Sequence, residues 1–425
     1  MTGSGKTIFS AALINLLIKK GYKVSSGKVG PDYIDPTYVR SILNNNVFNF
    51  DTWAMNRGTI DYLMDESNQD MDINIIEGVM GLFDGTINGE SSTAKFVSEY
   101  NIPTILIIDA KGQSQTLAAI CKGLIEYNNN VKVVGLILNR ISSQRHFLLI
   151  KQELDKINIK VLGYLPESSE FLFPRRHLGL HLAHQIKKYT QLLNNASQLV
   201  EEHINLHEIL SLAKIHKKSR KSSIPESPID MGQHIAIAND HAFSFVYDHW
   251  LHLWKKEGRE ISFFSPLKDE VPAKSCSGIF LPGGYPELYC EKLSENRNFR
   301  LGMLEARKKN KIIYGECGGY MILGKYIKDK IGKDHEMLGF LNLATSFFER
   351  KLHLGYRQVN RTDQCNYFGY QNILMAHEYH YSSTIQESGT PLFVSKDFDG
   401  RNNNFGLIED KIFGSFLHII DKKIV

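Results

Sequence analysis

Cysteine is scarce in this chain. There are five among 425 residues, Cys121, Cys276, Cys290, Cys317 and Cys365, an odd count with no Cys-x-x-Cys spacing. This argues against a disulfide framework or a zinc ribbon and fits a reducing cytoplasm. An excess of either charge is also missing: 50 Lys and Arg stand against 46 Asp and Glu, leaving +4. Such a balance does not announce a nucleic-acid binder. No apolar run approaches the length that spans a bilayer. The mostly apolar segment 8–18 imitates the core of a signal peptide, but Lys19-Lys20-Gly21 follows it without a small-residue cleavage site, so export is not expected. With 42% hydrophobic and 23% charged residues, the composition is that of a folded globular protein, and the length suits two or three domains.

The first half alternates short apolar runs with helix-length segments. Strands are expected at 23–28, 73–77, 104–109, 133–139 and 160–164, and helices at 7–20, 89–100, 114–127 and 145–156. That rhythm predicts a parallel sheet covered on both faces, with ligands at the carboxyl ends of its strands. Residues 214–231, basic and serine-rich with two prolines, read as a linker between a domain at 1–213 and a second at 232–425. Beyond the linker, strands are expected at 233–238, 260–264, 278–281 and 311–314, and a helix at 241–256. The second domain is therefore α/β as well.

Gly3-Ser4-Gly5-Lys6-Thr7 opens the first helix. Glycines let backbone N–H groups turn toward phosphate oxygens, the helix N-terminus adds positive charge, Lys6 reaches the terminal phosphates, and the Thr7 hydroxyl suits magnesium. The fragment is half of the full phosphate-loop motif. Its neighbours strengthen it: Lys28 ends a strand beside Gly-Pro-Asp32-Tyr33, Asp51 follows in FNFDTW, and Glu77 closes the run Ile-Ile-Glu. A carboxylate directly after an apolar strand is where such a loop holds its divalent cation. Asp109 also ends a strand, where a helix cap is an equal alternative.

In the second half, IIYGECGGYM at 312–321 reads as strand, tight turn and helix around Cys317. Glycines on both sides expose the thiol, and the following N–H is free to meet an oxyanion. A second oxyanion donor is available in LPGGYPE at 281–287. The general base comes from one of two histidine clusters, HEYH at 377–380 or GSFLH at 414–418.

Taken together, GSGKT at 3–7, KVGPDYIDP at 28–36, NFDTW at 49–53, IEGVMGLFDG at 76–85, DAKG at 109–112, RHLGL at 176–180, LPGGYPEL at 281–288, ECGGYMILG at 316–324, HEYHYS at 377–382 and GSFLH at 414–418 resemble the cobyrinate a,c-diamide synthases. The resemblance implies an N-terminal P-loop NTPase domain like dethiobiotin synthetase and a C-terminal class I glutamine amidotransferase domain. It implies a ligase that amidates the a and c acetates of cobyrinate, with ATP and L-glutamine as co-substrates and Mg²⁺ as cofactor. Cys317 is then the nucleophile, His418 its base, and the Gly284 and Gly318 amides the oxyanion hole. Gly3, Ser4, Gly5, Lys6, Thr7 and Lys28 serve the ATP phosphates and Asn139 the adenine. Thr7, Asp51 and Glu77 hold the metal, and Asp32 and Tyr33 position the macrocycle. Class I amidotransferases commonly place a Glu two residues after the histidine; here Ile420 stands there, so another group must orient His418. Family members carry a strand and a glycine ahead of this first segment, so more chain upstream of Met1 is expected. The implied partner is a corrinoid, with neither nucleic acid nor membrane, and a homodimer is compatible. Nickel-sirohydrochlorin and hydrogenobyrinate are alternative macrocycles, and a binding or regulatory relative with impaired ATPase is the rival from another class.

Overall fold

The computed structural model describes residues 3–43, 45–168, 188–214, 223–369, 372–396 and 402–424, with the backbone of 175–176 and 179–180. The chain divides into two compact units, Met1–Trp53 with Arg57–Ser223, and Ala54–Asn56 with Ile224–Val425. Residues 215–222 of the proposed linker lie outside the described residues, as does part of RHLGL.

The first unit runs α1 (Lys6–Lys19), β1 (Val24–Val29), α2 (Asp35–Arg40), β2 (Val47–Phe50), α3 (Arg57–Asn68), β3 (Ile73–Glu77), α4 (Thr93–Glu99), β4 (Thr104–Asp109), α5 (Thr116–Glu126), β5 (Val133–Ile141), α6 (Gln144–Lys156) and β6 (Val161–Pro166). A two-residue pair, β7 (Arg175–Arg176) and β8 (Gly179–Leu180), precedes α7 (Tyr189–His203) and α8 (Leu206–Leu212). Strands β1 to β6 pair in parallel, as the βα alternation requires, and the short β7–β8 pair is antiparallel. The parallel strands form two three-stranded sheets, β2-β1-β3 and β4-β5-β6, instead of one. A cavity of about 1220 Å³, whose walls include Phe9, Leu13, Ile75 and Ile107, is lined by residues of both β3 and β4, the facing edge strands of the two sheets. β1 is the middle strand of its sheet and is buried along its whole length. α1 is apolar nearly all round and is buried accordingly. α4 starts at Thr93, later than the composition suggests, because the Ser92 side chain caps it by accepting the Lys95 N–H.

The second unit contains β9 (His234–Ala238), α9 (Asp248–Lys256), β10 (Glu260–Phe264), β11 (Gly278–Leu281), α10 (Cys290–Glu295), α11 (Arg297–Lys308), β12 (Ile312–Glu316) and α12 (Gly318–Leu323). It continues with β13 (Tyr326–Lys328), β14 (Asp334–Glu336), β15 (Leu343–Ser346), β16 (His353–Arg361), β17 (Asn372–His380), β18 (Ser383–Glu387), β19 (Thr390–Lys396), β20 (Asn402–Glu409), β21 (Ile412–Ser415) and β22 (Leu417–Ile424). One ten-stranded sheet has the order β10-β9-β11-β12-β21-β20-β19-β16-β17-β22. Its first five strands are parallel and the rest antiparallel. The helix expected from residue 241 starts only at Asp248. Residues 240–247 make bridges instead, Asp240 with Phe243 and Phe245 with Gly283. Ser244 and Phe245 N–H groups both donate to the Gly283 carbonyl at 2.9 Å, so this stretch fixes the glycine turn after β11. Among the described residues no helix is long and apolar enough to cross a membrane, and all five cysteines are free and buried.

Candidate active sites

In the first unit the phosphate-loop segment is held from behind. Gly5 adopts φ 94° and caps α1 without a side-chain hydrogen bond, which leaves the first helical amides available to an anion. A Cβ at Gly5 would lie 2.3 Å from the Asn139 amide nitrogen, so only glycine fits there. Asn139 donates to the Ser4 carbonyl at 2.8 Å and Arg140 to the Gly3 carbonyl at 3.3 Å. The Asn139 amide thus clasps the loop backbone. Lys6 reaches the Met80 carbonyl at 2.7 Å.

Register creates the charged cluster beside it. In the parallel β1–β3 ladder Lys28 lies opposite Glu77, and the Lys28 ammonium donates to Glu77 at 2.8 Å and to Asp35 at 2.5 Å. Thr7, in the first turn of α1, donates to the same Glu77 oxygen at 2.8 Å. Burial pushes the Glu77 carboxyl up, opposed by Lys28. Burial acts against Lys28 as well, but Asp35 and Glu77 outweigh it and hold the ammonium well above its usual range. Asp35 falls below its usual range because Lys28 overcomes its burial. Thr7 and Glu77 therefore present two hard oxygen donors side by side, the type of set that suits Mg²⁺. Asp35 is a member of this cluster that sequence reasoning missed, although it lies in the quoted KVGPDYIDP. Asp51 is buried after β2 and accepts the Trp53 N–H at 3.0 Å. Asp109 is ion-paired with Arg140. Asp32 accepts the N–H groups of Ile34 and Asp35 at 2.8 and 3.1 Å, closing the turn into α2, and Tyr33 beside it is buried. Burial and the Asp35 carboxylate push Asp32 up to about 7.

In the second unit Cys317 sits between β12 and α12 with φ 48° and ψ −103°, a conformation that costs a non-glycine residue about 1–3 kcal/mol. The surroundings hold it there. The Cys317 N–H donates to the Ser415 carbonyl at 2.8 Å, and the Met321 N–H to the Cys317 carbonyl at 3.1 Å. The next turn passes so close to β11 that a Cβ at Gly319 would fall 1.8 Å from the Leu281 carbonyl oxygen. The thiol lies 3.7 Å from the Tyr379 carbonyl. Burial and then the Glu287 charge push it up, against a lowering contact from the Gly318 amide, so the resting sulfur carries its proton.

His418, fully buried on β22, converges on the same point. A Cβ placed on Gly283 would be 2.4 Å from His418 Cε1, 3.2 Å from its Nε2 and 3.3 Å from Cys317 Cβ. Cys317, His418 and the β11 turn thus meet at one glycine. The Gly284 nitrogen is 3.2 Å from where a Gly318 Cβ would stand, so the two glycine turns are adjacent. His418 Nδ1 faces the Glu316 carboxylate at 3.6 Å. Of the two histidine clusters, GSFLH supplies the histidine at the thiol's turn. His377, opposite His418 in the β17–β22 ladder, is driven down to about 3 by burial and by His418 and stays neutral. His380 bridges Glu378 and Ser382 at 3.1 and 3.0 Å. His353, Glu378 and His380 place their ligand atoms within 4.8 Å of one another. However, Arg357 already holds Glu378 at 2.7 Å, and the two imidazoles stack at an angle of 4° instead of converging on a common ion.

Comparison with known proteins agrees with both halves. Residues 1–180 match the CobQ/CobB/MinD/ParA nucleotide binding domain and residues 234–423 the CobB/CobQ-like glutamine amidotransferase domain. The hydrogenobyrinate a,c-diamide synthases of Brucella anthropi and Brucella suis are each 38% identical, covering 99% of this chain and 96% of theirs. That of Rhizobium meliloti is 37% identical over 99% of this chain and 97% of its own. A nucleotide-binding α/β domain and a cysteine amidotransferase domain in one polypeptide define a glutamine-hydrolysing amidoligase that uses ATP. Within that class, the chain belongs to the a,c-diamide synthase family.

Proposed function

We propose that this protein converts the a and c acetate carboxylates of a cobyrinate-type macrocycle into amides, with nitrogen from glutamine and energy from ATP. Residues 1–213 form the amidoligase domain, 214–231 the linker and 232–425 the amidotransferase domain. His418 takes the Cys317 proton as the sulfur attacks the glutamine amide carbon, and the Gly284 and Gly318 N–H groups receive the oxyanion. His418 returns the proton to the departing ammonia, and water then cleaves the glutamyl thioester.

At the other site the γ-phosphoryl group of ATP is transferred to an acetate oxygen. A carboxylate resists attack by ammonia, whereas an acyl phosphate has a good leaving group. Lys6, Lys28 and the amides of Gly3, Ser4 and Gly5 receive the phosphates, and Asn139 sets the loop and borders the adenine. When bound, Mg²⁺ would neutralise phosphate charge, with Thr7, Glu77 and Asp51 as the residues to hold it. Asp32 and Tyr33 shape the macrocycle end. A reducing cytoplasm keeps the Cys317 thiol free.

The carrying observation is the end-to-end likeness to hydrogenobyrinate a,c-diamide synthases. Cobyrinate offers the same acetates around cobalt; the names of the relatives favour the metal-free ring. The test is an activity panel of hydrogenobyrinate, cobyrinate and nickel-sirohydrochlorin with ATP and glutamine. Diamide from either of the first two supports the reading, and turnover of the third alone contradicts it.

A further inference from the structure

We propose that Glu316, the residue immediately before the nucleophile, is the positioning acid of the amidotransferase site and holds the Nδ1–H of His418. This rests on the reading of Cys317 and His418 as the glutamine-hydrolysing pair. The usual acid position, two residues after the histidine, is taken by Ile420, a buried core residue whose carbonyl accepts His249 Nε2 at 2.8 Å. The duty of orienting the base has moved to another strand.

The placement follows from the ladder. β12 and β21 pair in parallel with Glu316 opposite Ser415, and the chain passes through Phe416 into β22. His418 is thereby brought over the end of β12, where Glu316 Oε2 stands 3.6 Å from its Nδ1. The opposite side of the ring, Cε1 and Nε2, lies against Gly283 and the Cys317 side. Contacts of this kind are commonly long before substrate binds. Glu316 is itself locked. Its Oε1 accepts the Tyr314 hydroxyl at 2.8 Å and the Ile419 N–H at 3.2 Å, and the side chain is buried. The second oxygen is thus left turned toward the imidazole. His377, across the β17–β22 ladder from His418, stays neutral and so brings no negative charge to the ring. A proton held on Nδ1 leaves Nε2 basic toward the thiol, and the adjacent carboxylate stabilises the imidazolium that forms.

The decisive variant is Glu316→Gln. Its carbonyl can still accept from Tyr314 and Ile419, but its NH₂ would face Nδ1 and favour the tautomer that cannot deprotonate Cys317. Glutaminase kcat is expected to fall about 10²- to 10⁴-fold, with glutamine KM within about threefold and ammonia-dependent amidation at the wild-type rate. Wild-type glutaminase kcat in this variant overturns the proposal. If Glu316→Gln fails to fold, seen as loss of ammonia-dependent amidation too, Tyr314→Phe decides. It should lower glutaminase kcat several-fold with KM unchanged, and an unchanged kcat overturns the proposal. Cys317→Ala measured alongside separates the two levels: glutaminase retained there sinks the parent reading, whatever Glu316 does.

Discussion

The backbone N–H of Cys317 donates to the carbonyl of Ser415 at 2.8 Å, tying the cysteine's turn to the strand that leads into His418. A left-handed cysteine would relax if its neighbours allowed it. Here the tie to β21, the close passage of Gly319 under β11 and the His418 ring over Gly283 fix it. The strain is therefore held in place by the surrounding backbone and not relieved locally.

Replacing that sulfur should separate the two chemistries. Cys317→Ala is expected to abolish glutamine-dependent amidation, a loss of at least about 10³-fold, while ammonium salts still support product formation at near wild-type rate. Amide formation measured with each nitrogen source checks this; loss of both would contradict the two-site scheme.

Gly283→Ala adds one methyl group where His418 and Cys317 meet. The new Cβ would lie 2.4 Å from a His418 ring that is itself fully buried, so the ring must move. Glutaminase activity should drop by about 10²-fold or more, since a displacement near 1 Å is enough for that. Ammonia-dependent amidation should persist, and a normal glutaminase rate would show that the ring has room.

Lys28→Met tests the cluster on the ATP side. It leaves Glu77 and Asp35 without the ammonium that lies 2.8 and 2.5 Å away. Removing one partner from a buried ionic cluster costs about 3–5 kcal/mol, which calorimetry should register as an earlier unfolding transition. Amidation should fail with glutamine and with ammonia alike, because both need the activated carboxylate.

Asp32 gives a pH-dependent prediction of definite sign. Burial and then the Asp35 carboxylate push its carboxyl up to about 7 from an ordinary 3.8, so the folded chain binds the proton more tightly than the unfolded one. Stability is thereby lost as pH rises from about 4 to about 7 and remains lower above that. Asp32→Asn keeps an oxygen for the Ile34 and Asp35 N–H groups and removes the charge. It should raise stability by something on the order of 2 kcal/mol at about pH 8 and leave it nearly unchanged below about pH 4. A lower melting temperature at the higher pH would contradict this.

Most parallel strands were readable because each is a short apolar run bounded by a helix-length segment, whereas the four-residue β2 and β21 were not marked. β3, β4, β10 and β11 keep the ends read from the sequence. The antiparallel half of the second sheet was not. β16, in which only Val359 is buried, carries only a weak inside–outside alternation, and β20 is buried only toward its end. Residues 240–247 look helical, yet their backbone groups serve Gly283, a partner no local pattern reveals. At the sites, Gly5, Lys6, Thr7, Glu77 and Cys317 stood out because glycine spacing and strand ends announce them. Asp35 and Glu316 did not. Each becomes meaningful only once a ladder register sets it beside Lys28 or His418.

The most direct measurement supplies the purified protein with hydrogenobyrinate, ATP and glutamine labelled with ¹⁵N in the side-chain amide, and follows the product by mass spectrometry and the nucleotide by ADP release. The account expects a diamide carrying the heavy isotope in both new amides, with one ADP formed for each. Glutamine and ATP consumed without labelled amide, or no consumption of either, would contradict it.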